Sequence, residues 1–268
     1  MNKIFKIFYK NPFFPNHNEN LMEDEGNVIK ARNNFLKTRF QNLEFLLFNR
    51  YDWMNNYLKK NDEIYEIGAG AGFSELYLSP KPILTDAIIY PWIDKKIDAM
   101  KLPFKDNSVD VIIASHTIHH FYSPISFLKE CNNALRPGGK IIIQEINTSL
   151  IMRFFLKLMK HEGWSYQVNI FDDQEIANNP SDLWSANCAI PELLFYDNKK
   201  FEKAVPFFKI IKNELNECFL FPISGGVISK TRVPNIPIII LKLIKVLDKC
   251  LIFIAPNIFA MGRSVVLE

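Results

Sequence analysis

The spacing of apolar positions changes twice along this chain. From about Asn27 to Leu58 they recur at helical intervals, through Ile29, Phe35, Phe40, Leu43, Leu47, Tyr51 and Met54. That spacing predicts one long helix or two shorter ones. From Glu63 the pattern becomes short apolar runs alternating with turns and helical segments. Glu63–Ile67, Ile83–Thr85, a short run ending at Ile97-Asp98, Val109–Ala114 and Lys140–Glu145 read as strands. Val109–Ala114 is an apolar, β-branched run typical of a central strand of a parallel sheet. Ser74–Leu78 reads as a helix stopped by Pro80 and Pro82. A second helix opens at Ser123-Pro124, carries Phe127, Leu128, Cys131 and Leu135, and closes at Arg136-Pro137-Gly138-Gly139. Ala87–Lys95 is shorter than the dozen or so residues that usually join parallel strands, so that crossover is trimmed.

Beyond Glu145 the rhythm loosens. Ser149–Met159, Pro191–Tyr196 and Lys199–Ala204 read as helices, and Phe207–Ile211 and Glu217–Phe221 as strand material. Gly163–Ala186 is irregular. Ile236–Ala255 is apolar, with Lys242, Lys245, Asp248 and Lys249 spaced to share one helix face. Arg263–Leu267 closes as a strand. Strands alternating with helices predict an α/β fold around a mostly parallel sheet.

Within that alternation lies Tyr65-Glu66-Ile67-Gly68-Ala69-Gly70-Ala71-Gly72-Phe73-Ser74, a strand end, a glycine turn and a helix start. Glycines let the backbone turn tightly and a ligand approach closely. A dinucleotide turn is spaced G-x-G-x-x-G, whereas this one is G-x-G-x-G with Phe73 in the next place. No Gly-Lys-Ser/Thr follows, so it is not a triphosphate loop. Glu66 sits poorly against pyrophosphate and suits a ligand with an ammonium group and a neutral nucleoside. A glycine turn holding another ligand, or none, is the competing reading.

Composition narrows the partners. The 268 residues are 48% hydrophobic with a formal net charge of +3, too mildly basic to argue for nucleic acid. Cys131, Cys188, Cys218 and Cys250 lie far apart, without C-x-x-C or paired-His spacing, which argues against zinc and against a disulfide framework. Residues 1–14 are basic and aromatic, and their lysines interrupt any secretory apolar run. These features favour a cytoplasmic protein.

Four polar features fall at the carboxyl ends of successive strands, the edge where open α/β sheets bind ligands. They are the glycine turn, Asp86, Asp98 and Ser115-His116. A carboxylate at Asp86 can accept from two ribose hydroxyls. Asp98 can accept from an exocyclic amine, with the Ala99 amide serving a ring nitrogen. Turn-forming or capping roles explain each singly. Their order, together with Leu102-Pro103-Phe104, Asp110-Val111-Ile112-Ile113 and Leu135-Arg136-Pro137-Gly138-Gly139-Lys140, resembles the core of a class I S-adenosylmethionine-dependent methyltransferase over residues 62–146.

The resemblance implies a Rossmann-like seven-stranded mixed sheet with the last strand antiparallel. Residues 1–60 would be an N-terminal helical extension and 61–268 the methyltransferase domain, with 147–188 a lid-like insertion and 221–260 an apolar insertion between the last two strands. The cofactor would be S-adenosyl-L-methionine. Glu66 and the backbone of Gly68, Ala69, Gly70 and Gly72 would hold its methionine part, Asp86 the ribose, Asp98 and Ala99 the adenine. Ser115 and His116 would sit near the sulfonium.

A hydroxyl acceptor gains from a general base. His119, His120 and Glu145 are the candidates, packing or capping roles the alternative. The expected acceptor is a small molecule or a lipid-linked glycan precursor. His161, Trp164 and Tyr166 would line a lid or anchor loops. Residues 236–255 would pack on the sheet, or else make a peripheral contact with the inner membrane face. A nucleoside-binding module that keeps the cofactor site without turnover is the alternative function.

Overall fold

A computed structural model describes residues 11–15, 26–160, 162–228 and 231–268. His161 and most of the basic aromatic N-terminal stretch lie outside these.

The strands are β1 (Ile64–Ile67), β2 (Ile83–Asp86), β3 (Lys95–Lys96), β4 (Val109–Ser115), β5 (Leu135–Ile146), β6 (Ile210–Asn216) and β7 (Gly262–Leu267). They form one sheet in the order β3-β2-β1-β4-β5-β7-β6. β7 runs antiparallel to both its neighbours, and the pairings of β1 to β5 are parallel. The expected seven-stranded mixed sheet is therefore present.

Side-chain alternation explains the apolar runs. Tyr65, Ile67, Ile112, Ala114, Ile141, Ile143, Val265 and Leu267 face one layer. Ile64, Val111, Ile113, Ile142 and Val266 face the other. The first layer is covered by α3 (Pro124–Ala134), α5 (Ile190–Phe195) and α6 (Asn198–Ala204). The second is covered by α1 (Val28–Thr38), α2 (Gln41–Tyr51), α7 (Leu220–Ile223) and α8 (Ile238–Ile254). α4 (Leu150–Met159) follows β5, and α9 (Pro256–Phe259) links α8 to β7.

Several boundaries differ from the sequence reading, each for a local reason. The leading helical pattern is two helices, because Arg39 adopts a left-handed conformation at φ 45° and ends α1. The segment Ser74–Leu78 is a single 3₁₀ turn over Phe73–Leu76, cut short by the prolines beyond it. β5 begins at Leu135, so Arg136-Pro137-Gly138-Gly139 lies within the strand. Strand six is Ile210–Asn216 rather than Phe207–Ile211. Glu217–Phe221 is not a strand. Glu217 has φ 54°, and the amides of Cys218, Phe219 and Leu220 all donate to the Asp248 carboxylate at 2.9–3.1 Å. With those donors taken by one side chain, a sheet ladder has nothing to pair with.

Candidate active site

β1, β2 and β4 run parallel, so Ile67, Asp86 and Ser115 end on one edge of the sheet. Over that edge lies a cavity of about 590 Å³, within the range of sites for cofactor-sized ligands. Gly68, Ala69, Gly70, Asp86, Asp98, Ala99, Ser115, His116, His119 and His120 all line it.

The turn is held rigidly. Gly68 has φ 69°, and a Cβ there would collide with Thr117 Oγ1. Gly70 has φ 51°, and a Cβ there would meet only open space. The Gly70 amide donates to Asp86 Oδ2 at 2.8 Å, and the Ile88 amide to Oδ1 at 2.9 Å. Trp92 Nε1 donates to the Gly70 carbonyl at 2.8 Å. From α1, the buried Arg32 donates to the carbonyls of Ala71 and Gly72, pairs with Glu75 and stacks on Trp92. The leading helix thus clamps the turn. Gly72 is tightly enclosed by Leu84 and Trp92 and lies outside the cavity lining.

Glu66 also lies outside the lining. It is 1% exposed and accepts from Ser74 Oγ. Burial raises its pKa to about 8; the Ser74 bond opposes that rise and the Asp86 charge adds to it. Asp98 is exposed at the cavity rim, with Oδ1 accepting from the Met100 amide at 2.9 Å. His116 is in a left-handed conformation at φ 52° and donates its amide to Gln144 O at 2.7 Å.

At the opposite wall, β5 ends in Glu145, which is fully buried. Its Oε1 accepts from the amides of Thr117 and Ile118 at 2.7 and 2.6 Å, and its Oε2 meets His119 Nδ1 at 2.7 Å. His119 Nε2 lies 3.6 Å from Glu162. Burial alone would discharge His119, but the Glu145 and Glu162 carboxylates overcome it and raise its pKa to about 10. His120 stacks on His119 with ring centres 4.3 Å apart, and its Nδ1 lies 3.2 Å from Ser185 O. Burial, then the charge on His119, lowers the His120 pKa to about 4. His116 is likewise held neutral, by burial first and then by Arg50.

One member of the pair is therefore an imidazolium between two carboxylates, the other a neutral ring. A bond to the Ser185 carbonyl puts the His120 proton on Nδ1 and leaves the lone pair on Nε2. His119, Glu162 and Cys188 bring one metal-ligating atom each within 4.8 Å of one another. Within that trio the Cys188 thiol donates to Glu162 at 3.2 Å.

Some contributors carry no local sequence signal. Arg50 lines the cavity from α2 while its guanidinium grips Glu217 through two bonds of 2.8 and 2.6 Å. Glu162 and Ser185 come from the irregular stretch after α4. Trp164 and Tyr166 prove to be anchors outside the lining. Trp164 pairs with Phe13 at 5.0 Å, and the Tyr166 hydroxyl bonds Glu192 at 2.5 Å.

A methyltransferase-domain family model matches residues 90–143. A demethylmenaquinone methyltransferase of Corynebacterium glutamicum strain R is 25% identical over 108 residues, 36% of this chain and 47% of that protein. A ubiquinone/menaquinone biosynthesis C-methyltransferase, UbiE, of Ruegeria sp. strain TM1040 is 42% identical over 50 residues, 19% of this chain and 20% of that protein. The matches span less than half the length of these curated relatives. A solved S-adenosylmethionine-dependent methyltransferase from Archaeoglobus fulgidus shares the fold, with a TM-score of 0.51 and 18% identity over 87% of this chain and 96% of that one. Over residues 90–143 the chain is similar to the methyltransferase domain, and its fold is that of this solved S-adenosylmethionine-dependent methyltransferase.

That solved relative is S-adenosylmethionine-dependent, and the residues at this cavity fit S-adenosyl-L-methionine. The open Cβ direction at Gly70 is a cradle that any larger residue would fill. Asp86 presents a carboxylate at the strand end, already braced by two amides, with lone pairs left for ribose hydroxyls.

Proposed function

We propose that this protein transfers a methyl group from S-adenosylmethionine to a hydroxyl of an acceptor held in the same cavity, with His120 as the general base. The observation that carries the reading is the His119–His120 pair, buttressed by Glu145 and Glu162, on the wall of the cavity that also holds the glycine turn.

S-adenosylmethionine, when bound, supplies a methyl group on a sulfonium that needs no further activation. Asp86 would hold the ribose, and Asp98 with Ala99 the adenine. Gly68, Ala69 and Gly70 would let the methionine part lie against the backbone, with Glu66 beneath as a buried carboxyl. Ser115 and His116 would stand at the end of β4, beside the transferred group. His120 Nε2 takes the proton the acceptor hydroxyl releases, and Glu162, 3.9 Å away, stabilises the resulting imidazolium. Glu145 is a positioning residue, because it fixes His119 and the two amides before it rather than reaching the acceptor. Alignment of the acceptor and exclusion of water supply the rest.

Calorimetric titration with S-adenosylmethionine, its demethylated product and NAD tests the cofactor. Binding of the first two alone is expected, with Asp86→Ala weakening both by about a hundredfold, as loss of two charge-assisted hydrogen bonds predicts. Binding of NAD alone would overturn the reading. For the base, methylation of a panel of hydroxylated small molecules and lipid-linked glycan precursors is followed by release of the demethylated product. His120→Ala is expected to lower kcat by about a hundredfold with cofactor affinity unchanged. Because the ring is neutral down to about pH 4, the acid limb of the rate profile is expected near that pH, not near that of free histidine. Turnover unchanged in His120→Ala would reduce the residue to a packing role.

A further inference from the structure

The helix α8 is apolar on the side that faces away from the protein. At about 3.6 residues per turn, Leu241, Ile244, Asp248 and Ile252 form the stripe that faces the body of the protein. The opposite pole is built of Ile239, Leu243, Val246, Leu247, Phe253 and Ile254. Ile239 is 70% exposed, Leu243 64% and Phe253 89%. An ordinary surface helix carries its charges there.

The charges on α8 sit elsewhere. Lys242 and Lys249 are exposed on one flank of the apolar pole, and Lys245 is half-buried against Asn49. The helix has a single acid, Asp248, and it is buried as the cap of the Cys218, Phe219 and Leu220 amides. The exposed charges of α8 itself are therefore all cations, with Asp52 at the end of α2 acting on Lys245. The C-terminal end of α8 runs into α9, which packs on α4. α4 in turn exposes Leu150, Phe154 and Leu158, with Lys157 beside them.

We propose that this face docks on an anionic membrane surface, with α8 lying in the plane of the interface. Apolar side chains at the acyl boundary and lysines at the headgroups are the arrangement such helices use. The helix does not cross the bilayer. Its 17 residues reach about 26 Å, short of a hydrocarbon core of about 30 Å, and one side is packed on the protein. A second copy fits the face poorly when α8 packs antiparallel on α8 about a two-fold axis, because that contact brings the lysine flanks together with no exposed acid on the helix to pair them. Phe221, Val227 and Ile228, on the segment leading to α8, and Met152 and Leu156 of α4 wall the cavity. A docked surface would thus lie on the same elements that enclose the acceptor.

The test is flotation of the full chain with phosphatidylcholine vesicles, with and without phosphatidylglycerol, at low and high salt. It needs neither cofactor nor acceptor, so it stands or falls apart from the methyl-transfer reading. The chain is expected to float with the anionic vesicles and less so at high salt. Leu243→Glu with Phe253→Glu is expected to bind at least about tenfold more weakly. Lys242→Glu with Lys249→Glu is expected to lose about fivefold per lysine on anionic vesicles. All four side chains point outward, so thermal melting is expected to match the wild type. No flotation with anionic vesicles, or equal flotation of the Leu243→Glu/Phe253→Glu chain, would overturn the proposal. A dimer in sedimentation that Leu243→Glu dissociates, with no vesicle binding, would assign the face to a second copy instead.

Discussion

Gly68 and Gly70 divide the work of the turn between packing and access. At Gly68 a methyl group would enter the Thr117 side chain, and at Gly70 it would enter empty cavity. Gly70→Ala therefore bears only the left-handed backbone cost, about 1 kcal/mol, and is expected to melt within a few degrees of the wild type. Its cofactor affinity, read by calorimetry, is expected to fall at least about tenfold, because the methyl occupies the cradle. Gly68→Ala is expected to melt well below both. Equal melting of the two variants would sink this division. Glu66 gives a pH signature. Its folded pKa of about 8 lies above the ordinary carboxyl value, so its contribution to stability is intact below about pH 4.5 and is lost as pH rises toward 8. Glu66→Gln removes that loss. The variant is expected to gain several degrees in Tm on the wild type between pH 5 and pH 8, and a constant difference would refute the buried neutral acid. The glycines, Asp86, Asp98 and the histidines were legible in the sequence because each sits within a few residues of a recognisable strand end. Arg50 and Glu162 were not. Each reaches the cavity from a remote segment whose own pattern says only helix or loop.

Elements were legible in proportion to how far their own residues decide them. Val111–Ala114 of β4, Ile141–Ile143 of β5 and Val265–Leu267 of β7 are apolar on both faces, which suits strands covered on both sides. The trimmed crossover after β2 was readable from its length, and no regular helix forms there. Glu217–Phe221 misled because its apolar residues suit a strand. Its fate is set by Asp248, about thirty residues onward, whose carboxylate takes three consecutive amides and starts α7. That cap also fastens α8 to the body. Asp248→Ala strands those amides and is expected to cost about 3 kcal/mol in urea unfolding, with Asp248→Asn recovering part of it. A loss under about 0.5 kcal/mol would mean that solvent replaces the cap.

On the scale of the whole molecule, two stretches of the chain meet at the cavity. The turns after β1, β2 and β4 frame one side of the cavity, and the regions after β5 supply the far wall and α8. The methyltransferase-domain match covers β3, β4 and most of β5, residues 90–143. The chain order of the strands has a further consequence. β7 lies in the interior of the sheet, between β5 and β6, and pairs with both. During synthesis β6 emerges with no edge to join, and β5 waits with Ile141–Ile143 unpaired on one side. The sheet cannot be completed in the order in which it is made. The nascent chain must keep two unpaired strand edges apart, from itself and from its neighbours, until Gly262–Leu267 arrives to join them.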